Sequence, residues 1–171
     1  MKTPAIPSKF PFVFDVLHNS SESLVASGNY QTKIGKGIIL KTLSKLVAMP
    51  PSVGASSFRL IVDRSGKREK WTRFFQNKKF VTRVRKDDLT MTESLGIFSF
   101  KMEIEIISTD TMLYNFIDLK VLGVKLPKWL SISTTGKCIQ INNEEWSFNI
   151  NVIAPTGHSI INYWGRSALG Q

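Results

Sequence analysis

Residues 98–106, Phe-Ser-Phe-Lys-Met-Glu-Ile-Glu-Ile, alternate apolar and polar side chains without a break. A β-strand throws successive side chains to opposite faces. Phe98, Phe100, Met102, Ile104 and Ile106 therefore share one face, and Ser99, Lys101, Glu103 and Glu105 share the other. A strand built this way buries one face and wets the other, as antiparallel sheets do. Parallel strands covered on both faces read instead as continuous apolar runs.

The same period of two recurs along the chain. It marks 56–63, 68–75 and 78–85, joined by the turns Arg64-Ser65-Gly66-Lys67 and Gln76-Asn77. It returns in 144–153, where Trp146, Phe148, Ile150 and Val152 point one way. Shorter or less regular strands are predicted at 24–34, 88–95, 112–123 and 158–165, whereas 131–143, with Cys138, reads as a loop or short strand. Residues 1–11 hold Pro4, Pro7 and Pro11 and read as an extended arm, followed by a short apolar piece that docks on the core. In 37–51 the period changes to helical: Ile39, Leu40, Leu43, Leu46 and Val47 form one stripe, with Gly37 before it and Pro50–Pro51 after it. The expected fold is mainly β (β-rich α+β), one domain over 1–171. It is an antiparallel, strongly curved sheet or partial barrel with this one amphipathic helix packed across it. A chain of 171 residues is long enough for one real core.

Charge is distributed unevenly. Ten of the 23 Lys and Arg fall in 64–86, against the single acid Glu69. Arg64, Lys67, Arg68, Lys70, Lys78, Lys79, Arg83, Arg85 and Lys86 read as an exterior basic stripe. Such a stripe suits an anionic membrane surface or another polyanion, where each cation near acidic lipid is worth about 1 kcal/mol. It equally suits a solvated hairpin with no partner. Nucleic acid is disfavoured as a partner, because Trp71 and Phe75 alternate with the cations and face the core, leaving no exposed stacking platform. The lone Cys138 permits no intramolecular disulfide and fits a reducing cytosol, with peripheral membrane attachment as the extension of the basic stripe. No apolar run approaches the roughly 20 residues of a membrane-spanning helix, and no secretory signal pattern opens the chain.

Catalytic and metal patterns are not found. His18, His158 and Cys138 have no metal-ligand spacing, so no metal and no cofactor are predicted. There is no Gly-x-Ser-x-Gly elbow, and Gly35-Lys36-Gly37 is followed by Leu40 where a dinucleotide fingerprint needs glycine. The expected role is a non-catalytic accessory or binding one, with an enzyme or reductase-associated domain whose site follows no familiar motif as the further alternative.

One charge sits on the wrong face. In a strand, Trp71, Arg73 and Phe75 point to the same side, which should be inward. An unpaired buried charge is very costly, so Arg73 needs a partner. Glu93, between Met91 and Leu95 on their shared face, is the acid with matching surroundings. The pair has two readings. In the preferred, structural one it fixes strand register. In the functional one Arg73 receives the acidic head of an apolar, fatty-acid-like small molecule or lipid lodged between helix and sheet. Trp71, Phe75, Phe100, Met102, Phe148 and Tyr163 would then line the pocket. Oligomeric state has no sequence signature here.

The ordered elements Trp71-x-Arg73-x-Phe75, Glu93-x-x-Gly96, Leu122-Gly123-Val124-x-Leu126-Pro127, Phe148, Pro155-x-Gly157 and Tyr163-x-Gly165 resemble the bacterial domain-of-unknown-function family 4166, over about residues 28–165. The chain departs from that pattern at Trp146, where the family has a Phe, and in 131–143, which lacks an expected acid. Such domains stand alone or are appended to Rossmann-type reductase modules, saccharopine-dehydrogenase-like modules and membrane proteins. The resemblance implies an accessory or ligand-holding role and adds plausibility to the Arg73–Glu93 pair. It implies no catalytic residue and no cofactor.

Overall fold

A computed structural model describes residues 11–19, 23–35, 54–76 and 78–170. Its eleven strands are β1 (Leu24–Ile34), β2 (Ser56–Ser65), β3 (Arg68–Phe75), β4 (Lys78–Asp87), β5 (Thr90–Leu95), β6 (Phe98–Ile106), β7 (Thr111–Val121), β8 (Val124–Lys125), β9 (Ser133–Gln140), β10 (Glu145–Ile153) and β11 (Ser159–Leu169). Helix α1 (Phe12–Asn19) precedes them, and a single 3-10 turn spans Lys128–Leu130. The helix predicted over 37–51 lies outside the described residues.

Every pairing is antiparallel, and the sheet closes on itself. Strand β1 pairs with both β2 and β11, and β7 pairs with both β6 and β9. The ten strands β1–β7, β9, β10 and β11 thus form a closed barrel, with β8 a short hairpin return on β7. This corrects the expectation of an open curved sheet or partial barrel. Closure removes the two unpaired edges that an open sheet would expose. Of the two readings of 131–143, loop or short strand, the structure shows the strand, and β9 is a full barrel stave.

Two irregularities bend the wall. Opposite Lys101 and Met102 the β7 partner jumps from Asp118 to Phe116, leaving Ile117 as an extra residue. Opposite Val152 and Ile153 the partner jumps from Ile161 to Ser159, leaving Ile160 extra. Extra residues raise local twist and re-aim side chains. That is how the neighbours Ile160 and Ile161 are both fully buried.

Helix α1 stoppers one end of the barrel. Val13, Phe14 and Leu17 join Leu24, Val62, Ile104, Met112 and Trp146 in the main core. Eight residues are too few for a stable helix alone, so α1 depends on the barrel for its order. The barrel satisfies both helix ends. Val13 N–H donates to Gln140 Oε1 at 3.1 Å. Arg64 Nη2 donates to the carbonyls of Val16, at 3.1 Å, and Leu17. These are groups that a helix terminus otherwise leaves without partners, and the cation also suits the negative end of the helix dipole.

A second apolar cluster fills part of the opposite end, built on Leu119, Ile132, Ala154, Ile160 and Ile161. Phe100 and Val152 belong to this cluster and also face the interior space described next.

Candidate functional site

Between the two clusters lies a cavity of about 170 Å³ inside the barrel. The six residues named from the sequence as pocket candidates, Trp71, Phe75, Phe100, Met102, Phe148 and Tyr163, all line it. Leu17 of α1 contributes to its wall beside residues of the barrel strands. Its aromatic lining packs edge to face: Phe148 and Tyr163 have ring centroids 6.2 Å apart, and Phe75 and Tyr163 6.4 Å.

Three polar side chains meet on this lining. Arg73 on β3, Thr82 on β4 and Glu93 on β5 come from three consecutive strands. Arg73 Nη1 donates to Glu93 Oε1 at 2.8 Å and to Thr82 Oγ1 at 2.9 Å. Thr82 Oγ1 in turn donates to Glu93 Oε1 at 2.7 Å. The guanidinium carbon lies 5.0 Å from the Trp71 ring centroid and 5.8 Å from that of Phe80. Two π-faces thus hold the cation in addition to the carboxylate. The side chains keep 16% and 21% of their exposure, so solvent reaches the pair from inside the barrel. Among the described residues both of Arg73's hydrogen bonds leave from Nη1. Its Nε and Nη2 remain as donors in a wall otherwise almost wholly apolar. Thr82 was not singled out from the sequence. Its signal was parity, since it faces inward with Phe80 and Val84.

A second charge cluster lies at the α1 end. Glu69 is 4% exposed, and its carboxylate accepts from Arg64 Nε at 3.2 Å, Lys86 Nζ at 2.9 Å and Trp71 Nε1 at 2.8 Å. This corrects the reading of Arg64 and Lys86 as basic surface: their side chains are 4% and 17% exposed and neutralise an acid inside the barrel. Of the rest of the basic set, Lys67 pairs with Asp87 at 3.5 Å and Lys70 with Asp63 at 3.6 Å. Arg68, Lys78, Lys79, Arg83 and Arg85 are exposed on or near the outer wall of β3 and β4.

The interior groups with reactive potential are held neutral. Burial pushes the Cys138 thiol up to about 12 and the Tyr163 phenol up to about 12. Burial likewise raises Tyr114 well above the ordinary tyrosine value. A thiol that keeps its proton is a poor nucleophile. Two results follow. Cys138 in the native protein should be inert to an aromatic disulfide reagent, reacting only after denaturant unfolds the barrel. Stability should also fall in alkali. The unfolded thiol loses its proton near 9.0 and the unfolded phenol near 10.0, while the fold keeps both until about 12. Between those limits the unfolded chain binds fewer protons, so the unfolding free energy drops as pH rises. In Cys138→Ala the decline should begin about one pH unit later, read from urea midpoints across the alkaline range. An unchanged onset would mean that the thiol is not held neutral in the barrel.

Residues 11–166 match the family described as "Domain of unknown function (DUF4166)". The chain belongs to this family. The match begins upstream of the likeness read from the sequence and takes in α1, the barrel's plug. No curated protein matches the chain. Among solved structures, the barrel is similar to a protein of unknown function from the DUF3598 family of Nostoc punctiforme, with a TM-score of 0.54 and 7% sequence identity. The alignment covers 85% of this chain and 46% of that one, so the chain spans less than half the length of that protein. At this identity the likeness concerns the fold alone.

Proposed function

We propose that this DUF4166 domain is a non-catalytic binding module whose barrel interior holds a small apolar ligand by an oxygen acceptor placed against Arg73. The observation that carries the reading is a guanidinium with donors to spare in the wall of an apolar cavity. The cavity is larger than the roughly 150 Å³ engineered apolar cavity that admits benzene, and smaller than the roughly 300–1,000 Å³ of drug-sized sites. It therefore suits a short chain or a single ring, or the inner part of a longer chain.

Charge narrows the head group. Glu93 already neutralises Arg73, so a ligand carboxylate would bring an uncompensated negative charge into the interior. A neutral carbonyl, ester or protonated acid accepts from Nε or Nη2 without that cost. Calorimetric titration with methyl hexanoate, hexanoate and octane tests this. The ester should bind most tightly. Arg73→Met, which keeps the stem and removes the donors, should cut ester binding roughly tenfold or more and leave octane unchanged. Equal affinity for ester and hydrocarbon, or no binding of either, would leave Arg73 as a register clamp only. The structural reading makes its own prediction: Glu93→Gln should destabilise by about 2 kcal/mol, less than a fully buried pair, because the site is partly solvated.

A further inference from the structure

The barrel end opposite α1 exposes apolar side chains that no described element covers. Leu122 is 76% exposed, Trp129 73% and Val124 68%, with Ile97 and Leu130 also open. They lie together. Leu122 N–H donates to the Ile97 carbonyl at 2.9 Å, which ties the β7–β8 turn to the β5–β6 turn. Leu126 N–H donates to Leu119 O at 2.9 Å, which sets the following 3-10 turn beside the same rim. None of that turn's residues is buried.

Leu122 is in a conformation that leucine rarely adopts. Its φ is 52°, followed by Gly123 at 83°, a two-residue turn for which Asn or Asp would ordinarily supply the first position. A left-handed leucine at an exposed hairpin tip costs stability and buries nothing within the described chain.

Charge is polarised in the same sense. At this rim lie Lys33, Lys78, Lys79, Lys120, Lys125 and Lys128, all exposed, with Asp118 the outward carboxylate among the described residues there, since the nearby Glu93 lines the interior. Asp118 is itself paired with Lys125 at 3.1 Å. Acids such as Asp15, Asp63, Asp87, Asp110, Glu144 and Glu145 sit towards the α1 end, where they offset the cations of 64–70 and 85–86.

Apolar tips that include an indole, ringed by lysines in excess of carboxylates, match a bilayer with acidic headgroups. The indole and leucines enter the interface while the lysines remain among the phosphates. We propose that the domain docks on anionic lipid bilayers through this rim, with Leu122 and Trp129 inserted and the α1 end facing away. The proposed surface shares only Lys78 and Lys79 with the 64–86 stripe, and the proposal stands whether or not the cavity takes a ligand.

The test is sedimentation of the full chain with phosphatidylcholine vesicles, with and without phosphatidylserine, across a salt series. Binding should require the acidic lipid and weaken as salt rises. Leu122→Asn is the decisive variant, because asparagine suits the left-handed position. It should melt at or above the parent temperature and yet bind vesicles roughly tenfold more weakly. Trp129→Ser should weaken binding similarly and abolish the blue shift of tryptophan emission on adding vesicles. Arg85→Glu, on the wall of the α1 half, should change binding far less. The proposal is overturned if the parent does not sediment with acidic vesicles. It is also overturned if Leu122→Asn binds like the parent, or if ultracentrifugation shows that variant dissociating a dimer, which would make the rim a contact between copies.

Discussion

Gly165→Ala should cost about 4–5 kcal/mol or more and should leave the chain without a cooperative thermal transition. A Cβ placed on Gly165 would lie 2.0 Å from the backbone oxygen of Asn29 and 2.9 Å from the Tyr30 Cα. One placed on Gly28 would lie 2.0 Å from the backbone oxygen of Arg166. The two glycines sit on the facing strands β1 and β11, with Tyr30 opposite Gly165 and Ser167 opposite Gly28. Neither clash can be relieved by turning a side chain, because the obstacle is backbone. The strands would have to part, breaking ladder bonds in the seam that joins the first strand of the barrel to the last. Overpacked cores typically lose about 1–3 kcal/mol, and losses above 4 kcal/mol arise where no local adjustment is available. Gly136→Ala provides the contrast. Its Cβ would meet the Ile150 Cδ1 tip at 2.7 Å, a flexible end that can rotate away, so it should cost about 1–2 kcal/mol. Circular dichroism melts of the two variants check the difference. A Gly165→Ala transition within a degree or two of the parent would mean that β1 and β11 do not approach this closely.

This seam also shows why closure could not be read from the residues. Alternation reports which face of a strand is wet, and Phe98 to Ile106 displays it plainly because every inward position there is large and apolar. Nothing in "SGN" or "WGR" says that two glycines 137 positions apart each press against the other strand's backbone at one seam. Closure is a property of pairs, and single-strand patterns do not carry it. Strand β9 was less legible for a related reason. Its inward set, Thr134, Gly136, Cys138 and Gln140, is small or polar, because Gly136 yields its volume to Tyr114 and Ile150 while Gln140 caps α1. The period of two is present in the backbone but has no hydrophobicity to express it.

The candidate site was more legible than the fold that encloses it. Trp71, Arg73 and Phe75 share a face by parity alone, and the cost of an unpaired inward cation pointed to an acid in apolar surroundings. The same parity extends to Glu69, two residues before Trp71, yet an acid amid lysines reads naturally as a solvated countercharge. The rim was illegible for the opposite reason. In 121–130, "VLGVKLPKWL" has the look of core material, and only the closed barrel shows Leu122, Val124 and Trp129 on the outside.

Glu69→Ala should be the most damaging side-chain truncation, at about 3–5 kcal/mol, or roughly 10–15 °C in melting temperature for a chain of this size. The carboxylate sits against two interior cations, Arg64 and Lys86, and it also accepts the Trp71 indole N–H. Without it, Lys86 can swing outward on its long stem, whereas Arg64 cannot. That guanidinium is buried against the carbonyls of Val16 and Leu17, so it keeps its charge while losing its counterion. The damage should therefore spread to α1. Amide exchange in 13–17 should accelerate more than in β6 or β7, because Arg64 holds the C-terminal end of this short helix. Glu69→Gln should recover part of the loss, since one amide oxygen still accepts but no longer carries charge. Replacing the whole cluster, Glu69→Leu with Arg64→Met and Lys86→Met, should recover most of it, because apolar groups of similar volume need no desolvated counterion. The triple variant would still lack the donors that Arg64 gives to α1, so exchange in 13–17 should stay fast while the global melt returns. If Glu69→Ala melts like the parent, the three partners do not converge on a buried carboxylate. If the triple variant is no more stable than Glu69→Ala, the loss comes from packing rather than from stranded charge.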